Sequence, residues 1–472
     1  MSKKIKIFIS VAIPLILLIL PMEWLAIKNL SVVEHRMISI FILAVLLWIL
    51  EPIPVFSTSV IIIVAELLMI SNQGFILFRT NALQDNFGEL INYREILGCF
   101  ASPIIMLFLG GFFLAMAASK YQLDINLARV MLKPFGTRTS TVLLGLMIIT
   151  AVFSMFMSNT ATTAMMLAIL TPLLKYFEEN DKGKIAFILG IPFAANIGGI
   201  GTPIGTPPNA IALKYLTGAH TIGFGKWMSF ALPYVILMLL FVWILLLFSY
   251  SPSQKRMEIS IKGHFSKGWK ALTVYITFIL TILLWLSDFL HGMNSYIVAM
   301  IPVAVFTCTT IISRKDLKRI NWDVLWLMAG GIALGLGVEK TGLAKHVIEA
   351  LPFNTFSPYI VVIFVSVLTI LTSNFMSNTA TANLFLPLMA ALGTSISGLT
   401  PLGGSVLLIL TVAFAASLAM AMPISTPPNA MAYGTGLIKT KEMIKSGMII
   451  GAVGLAGVYL LMFILNKVKY IL

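Results

Sequence analysis

The heptapeptide Phe156-Met157-Ser158-Asn159-Thr160-Ala161-Thr162 returns, letter for letter, at Phe375-Met376-Ser377-Asn378-Thr379-Ala380-Thr381. Each copy sets three polar residues between apolar runs long enough to enter a bilayer. Were Ser158-Asn159-Thr160 an external turn, it would sit in water, yet its neighbours are Thr, Ala and Met without a charge. A hairpin that enters and leaves by one face fits better. Non-helical backbone at membrane depth is tolerated only where it lines a cavity or is buried in protein. The runs 140–157 and 161–177 are therefore expected to form one re-entrant hairpin, and 357–376 with 380–392 a second.

The rest of the chain supports a membrane setting. Of its 472 residues 59% are hydrophobic and 11% charged, against about 25% charged in soluble domains. Outside the hairpins, apolar spans read at 5–22, 37–52, 54–71, 97–118, 185–213, 227–250, 270–290, 295–312, 323–338, 403–437 and 446–466. They make an all-α polytopic membrane protein with about eleven crossings, not an alternating-strand barrel. The start, Met1–Lys6 then Ile7–Leu20, runs into Pro21-Met22-Glu23-Trp24 with no small-residue cleavage site, and reads as an uncleaved first span.

The formal charge of +14 sits in short loops, where Lys and Arg set orientation; it does not mark a nucleic-acid binder. With the amino terminus cytoplasmic, the inner loops hold Arg129, Lys133 and Arg138, then Lys255, Arg256, Lys262 and Lys267, then Arg314, Lys315, Lys318 and Arg319, then Lys439, Lys441 and Lys445. The outer loop 393–402 has no charge, and the carboxyl terminus falls outside. Cys99 and Cys308 offer neither a disulfide nor a metal framework.

The heptapeptide belongs to a longer repeat. Leu109-Gly110-Gly111-Phe112 matches Ala329-Gly330-Gly331-Ile332, and Ile204-Gly205-Thr206-Pro207-Pro208-Asn209-Ala210 matches Ile424-Ser425-Thr426-Pro427-Pro428-Asn429-Ala430. The same order at nearly constant spacing means the two halves are copies. An odd number of crossings separates the hairpins, so they enter from opposite faces. Inverted repeats with interrupted helices are a secondary-transporter design that holds cargo near the midplane. The tandem prolines break 185–213 and 403–437 in their middles, so four broken points are expected to converge. Half-helix N-termini there would compensate an anion without the cost of a buried Lys or Arg. Asn159, Thr160, Asn378 and Thr379 would add side-chain donors. Ser158 and Ser377, with unwound carbonyls near Gly205 and Ser425, are hard oxygen ligands suited to Na⁺.

Phe100-Ala101-Ser102-Pro103-Ile104-Ile105 with Leu107-Phe108-Leu109-Gly110-Gly111-Phe112, the paired Ser-Asn-Thr and the paired Thr-Pro-Pro-Asn motifs resemble the divalent anion/sodium symporter family over nearly the whole chain. The resemblance implies a plasma-membrane carrier of C4 dicarboxylates, 2-oxoglutarate, citrate or sulfate that works as a homodimeric elevator. It implies a scaffold from 1–118 and 227–338, transport halves at 119–226 and 339–445, and a final span in 446–472. Asn159, Thr160, Thr206, Pro207, Asn378, Thr379, Thr426 and Pro427 would face substrate. One Na⁺ would use Ser154, Ser158, Asn159 and Gly205; another would use Ser373, Ser377, Asn378 and Ser425. Exchangers of the family share these motifs, so Na⁺-independent dicarboxylate exchange stands as the alternative. Inward movement of a dianion against about −100 mV costs roughly 4.6 kcal/mol and calls for a driving ion, about three Na⁺ for example; exchange of one dianion for another does not.

A membrane-embedded enzyme would need a nucleophile with a base, paired acids or a metal cluster at the midplane, and none is evident. Neither a cofactor nor a phosphate-binding loop is implied. The Gly-Gly pairs are expected to admit close helix packing. Glu66 could be a proton or ion site but is expected to make an interhelical or interface hydrogen bond, and Trp227, Trp269 and Trp322 to stand at the membrane interface. Glu51-Pro52-Ile53-Pro54 reads as a tight inner turn.

Overall fold

The computed structural model describes residues 2–470 except 26, 28–29, 80–85, 179, 258–263 and 351–355. Lys262 of the basic loop lies outside the described residues. The chain opens with α1 (Lys3–Ile19), α2 (Val32–Leu50) and α3 (Val55–Met69), followed by α4 (Tyr93–Gly98), α5 (Pro103–Lys120) and α6 (Leu123–Leu132). Next come α7 (Thr139–Phe156), α8 (Asn159–Leu173), α9 (Gly183–Ile200), α10 (Pro207–Tyr215) and α11 (Phe224–Ser249). A middle stretch holds α12 (Trp269–Leu286), α13 (Asp288–His291), α14 (Ser295–Cys308) and α15 (Arg314–Leu317). The second copy is α16 (Trp322–Lys340), α17 (Leu343–Ala350), α18 (Pro358–Phe375), α19 (Asn378–Ser395), α20 (Gly404–Ser417), α21 (Pro427–Gly434) and α22 (Thr440–Lys467). Element for element, α16–α22 retrace α5–α11. Among the described residues, nine helices are long and apolar enough to cross a membrane.

Local chemistry sets the boundaries. Proline opens α5, α10, α18 and α21 at the first helical positions, where its missing N–H would have had no partner anyway. Ser31 and Glu34 close a capping box on α2. Glu51, at φ 45°, ends that helix in the left-handed region and delivers the expected turn. Pro21 stops the first span, so α1 ends at Ile19, short of the expected 22.

Several expectations change. The basic stretch read as a loop after residue 118 contains the helix α6, and its counterpart α17 stands at the same place in the second copy. The span expected to reach 312 ends at Cys308. Trp227 is not interfacial: it is fully buried, and its Nε1 donates to Ile200 O at 3.0 Å. Trp269 and Trp322 are exposed. Glu66 is wholly buried in α3, yet neither carboxylate oxygen has a hydrogen-bond partner, so the expected interhelical bond is absent.

Two apolar cores divide the helices. One gathers α7–α11 with α18–α22, around Phe193, Trp227 and Phe414. The other gathers α2, α3, α5, α12, α14 and α16, around Trp48, Trp285 and Phe306. Burial of Trp227, Val235, Val242 and Leu246 places α11 with the hairpins, although 227–338 was expected to pack as scaffold. The Gly-Gly pairs do admit close packing. A Cβ on Gly330 would stand 2.3 Å from Ser59 Cβ on α3, and one on Gly110 would stand 2.2 Å from Ala299 O on α14.

Candidate substrate and ion site

The hairpin tips are built alike. Ser158 caps α8, its hydroxyl accepting from Ala161 N at 3.2 Å; Ser377 caps α19 and accepts from Ala380 N, also at 3.2 Å. The first intrahelical bonds run from Thr162 N to Ser158 O and from Thr381 N to Ser377 O. The N–H groups of Asn159, Thr160, Asn378 and Thr379 therefore have no intrahelical acceptor and stand at positive helix ends.

Behind each tip a buried serine meets the asparagine. Ser154 Oγ lies 2.6 Å from Asn159 Oδ1 and 2.7 Å from Ala195 O. Ser373 Oγ lies 2.9 Å from Asn378 Oδ1 and 2.8 Å from Ala416 O. One hydroxyl proton serves two acceptors in each cluster, which leaves a surplus of oxygen lone pairs. A fourth oxygen joins the first cluster. Asn159 Oδ1 and Gly205 O fall 2.9 and 3.0 Å from the point where a Cβ on Gly199 would stand.

The breaks are held by the asparagines of Thr-Pro-Pro-Asn. Asn209 Nδ2 donates to Gly199 O, Ile200 O and Thr202 O at 3.1, 3.1 and 2.8 Å. Asn429 Nδ2 donates to Met420 O and Met422 O at 2.7 and 3.0 Å. Unwinding a helix orphans its carbonyls, and these amides satisfy them. Thr206 and Thr426, both extended, turn the chain into Pro207 and Pro427.

Tips and breaks meet around one cavity of about 330 Å³. All of the residues expected to face substrate line it: Asn159, Thr160, Thr206, Pro207, Asn378, Thr379, Thr426 and Pro427. Ser158, Gly205, Ser377 and Ser425 line it too, whereas Ser154 and Ser373 are buried behind the tips and are not among the lining. Among the described residues no Lys, Arg or His lines it, and the one charged lining residue is Asp323, in the first turn of α16. Phe112, Met157, Ser158 and Asn321 also line a second cavity, which reaches Lys120, Asp316 and Arg319.

Two asparagines escaped the sequence reading. Asn196 in α9 also lines the cavity and donates through Nδ2 to Thr426 Oγ1 at 3.1 Å and Asn429 Oδ1 at 3.2 Å, tying the halves together. The aligned stretches Phe193-Ala194-Ala195-Asn196 and Phe414-Ala415-Ala416-Ser417 differ at this residue, so a search for duplicated polar motifs passes over it. Asn374 receives the Ser425 hydroxyl on its own carbonyl at 3.0 Å and on Oδ1 at 3.1 Å. In the first half Thr202 Oγ1 donates to Met155 O instead. The halves thus share the backbone device and differ in the side chains that hold it.

The family model described as "Sodium:sulfate symporter transmembrane region" matches residues 1–469. The sodium-dependent dicarboxylate transporter SdcS of Staphylococcus saprophyticus is 31% identical, over 90% of this chain and 86% of its own length. SdcS of Staphylococcus aureus is 32% identical, over 86% and 82%. Among solved structures, the Alcanivorax borkumensis YdaH transporter superposes with a TM-score of 0.54 at 13% identity, over 80% of this chain and 88% of that one. Neisseria gonorrhoeae MtrF superposes with a TM-score of 0.52 at 10% identity, over 87% and 94%; at such identities the likeness is one of fold. The chain belongs to the sodium:sulfate symporter family, the divalent anion/sodium symporters, whose members are multi-pass membrane transporters and not enzymes.

Proposed function

We propose that this protein is a Na⁺-coupled secondary carrier of small dicarboxylates of the succinate, malate, fumarate and 2-oxoglutarate class. The observation that carries the reading is a cavity formed by both hairpin tips and both helix breaks, with no basic side chain on its wall. A dianion there meets helix N-termini, amides and hydroxyls. The oxygen clusters at Ser154, Asn159 and Gly205, and at Ser373 and Asn378, offer Na⁺ ligands beside it. The names of the SdcS relatives point the same way.

The two apolar cores support an elevator. The core of α7–α11 and α18–α22 carries the site and moves; the core of α2, α3, α5, α12, α14 and α16 stays as scaffold, within a homodimer. This division shifts α11 and α22 into the moving half. The cavity leads toward Lys120 and Arg319, the side the positive-inside rule makes cytoplasmic, so the state described is inward-open. That orientation puts the amino terminus inside and the carboxyl terminus outside the plasma membrane.

Reconstituted protein is expected to take up labelled succinate under a Na⁺ gradient, with uptake abolished in Asn159→Ala and in Asn378→Ala. Unchanged uptake in both variants refutes the site. Flux that ignores Na⁺ but requires internal dicarboxylate identifies an exchanger instead.

A further inference from the structure

The carrier reading leaves a buried charged cluster unused, at the junction of α3, α10 and α16. Lys214, near the end of α10, reaches across to α16 and donates from Nζ to Ile332 O at 2.7 Å. That carbonyl already lies within a helix, so this is an added bond to the scaffold. It is possible because α16 is bare at this point. A Cβ on Gly335 would stand 3.1 Å from Lys214 Nζ and 2.1 Å from the Tyr215 hydroxyl. The Tyr215 hydroxyl is itself buried without a hydrogen-bond partner. Two residues on, and so on the opposite side of α16, a Cβ at Gly337 would stand 2.8 Å from Glu66 Oε1, a fully buried carboxylate without a hydrogen-bond donor. The Lys214 ammonium lies within electrostatic reach of Glu66 and Glu339. Asn383 of α19 makes a second bond of the same kind, donating from Nδ2 to Leu327 O on α16 at 3.1 Å.

Both donors sit in the half that carries the site, and both acceptors are backbone of a scaffold helix. A sliding motion of one half past the other breaks both bonds. The lysine differs from the amide, because a cation in a membrane interior persists only where it finds a counter-charge or carbonyls. Here it finds a carbonyl at hydrogen-bond distance, with the carboxylates of Glu339 and Glu66 within electrostatic reach.

We propose that Lys214 is the docking charge of the moving half: seated on the Ile332 carbonyl, it stabilises this end state and is released in each transport cycle. It acts through the position of the moving half and does not touch cargo. The proposal rests on the elevator reading, and the test separates the two.

The probe is a single cysteine, Ala161→Cys in a Cys308→Ser background, labelled by a membrane-impermeant thiol reagent from the cytoplasmic face. Ala161 is exposed and lines the cytoplasmic cavity, while the other native thiol, Cys99, is buried. Without Na⁺ or substrate, Lys214→Met is expected to lower labelling roughly tenfold, the worth of a charge-assisted bond. Glu66→Gln, which removes no bond, is expected to lower it far less. Unchanged or increased labelling in Lys214→Met, or an equal loss in Glu66→Gln, overturns the docking role. Thermal stabilisation by succinate with Na⁺ is measured in the same proteins. Retained stabilisation shows that the variants fold and bind, and its absence from the parent protein defeats the carrier reading, not the dock.

Discussion

Ser154 and Ser373 show what a single hydroxyl does here. Each lies between a tip asparagine and a helix carbonyl, so each fixes the direction in which an amide oxygen points. Ser154→Ala is expected to raise the Na⁺ concentration for half-maximal uptake about tenfold, from one lost ligand and one lost hydrogen bond. The substrate KM at saturating Na⁺ should change much less; a change confined to KM would place Ser154 on the substrate instead. A second residue-scale prediction concerns the Lys120–Asp316 pair, with Nζ to Oδ2 at 2.6 Å. The hydrogen bond from Lys120, helped by Ser313, holds the Asp316 carboxyl down at about 2. A depressed carboxylate contributes stability above its unfolded value, near 3.9, and loses it as pH falls through the folded one. Asp316→Asn should therefore lower Tm by a constant amount between about pH 5 and 8. The gap to the parent protein should close only as pH falls from about 4 toward 2, and a gap that varies between 5 and 8 would show that another group is titrating.

At the scale of elements, the duplicated motifs were legible because each one interrupts an apolar run, and polar letters stand out there. The hairpins, the breaks and the Ser-Asn-Thr residues that line the cavity follow from that contrast. α6 and α17 were not legible, because a short amphipathic helix with charges on one face reads like a basic loop when no long apolar run marks it. Asn196 was hidden for the opposite reason: it is a lone polar letter in a run whose copy carries serine. Lys214 falls one residue past the apolar stretch 185–213, and nothing in the sequence marks it as buried. The repeat also fails to convey which copy packs tightly. A Cβ on Gly331 would fall 1.8 Å from Asn383 Cγ, whereas one on Gly111 would meet nothing nearer than Ile204 Cδ1 at 3.5 Å. Gly331→Ala is thus expected to cost about 1–3 kcal/mol and to lower the Tm of purified protein, while Gly111→Ala is expected to be nearly neutral. Equal effects at the two glycines would contradict the one-sided docking of the second hairpin on α16.

For the whole molecule, the division into two cores explains why broken helices are affordable at all. Unwound backbone at 201–206 is buried and that at 418–426 largely so, and Asn209 and Asn429 meet carbonyls there that would otherwise need water. The core of α7–α11 and α18–α22 carries the two oxygen clusters, with the cavity beside them. In the proposed carrier, two cations beside one dianion would cancel its charge, whereas neither the cations nor the dianion alone would leave a neutral load to carry through the membrane. Each partner therefore favours binding of the other, and the coupling is reciprocal. Uptake is expected to rise sigmoidally with Na⁺, with a Hill coefficient of about two or more, and raising Na⁺ should lower the succinate KM. Ser373→Ala, which weakens the second cluster alone, should flatten that curve while leaving the first cluster able to bind. A hyperbolic Na⁺ dependence in the parent protein would mean that the two clusters do not both hold the coupling ion.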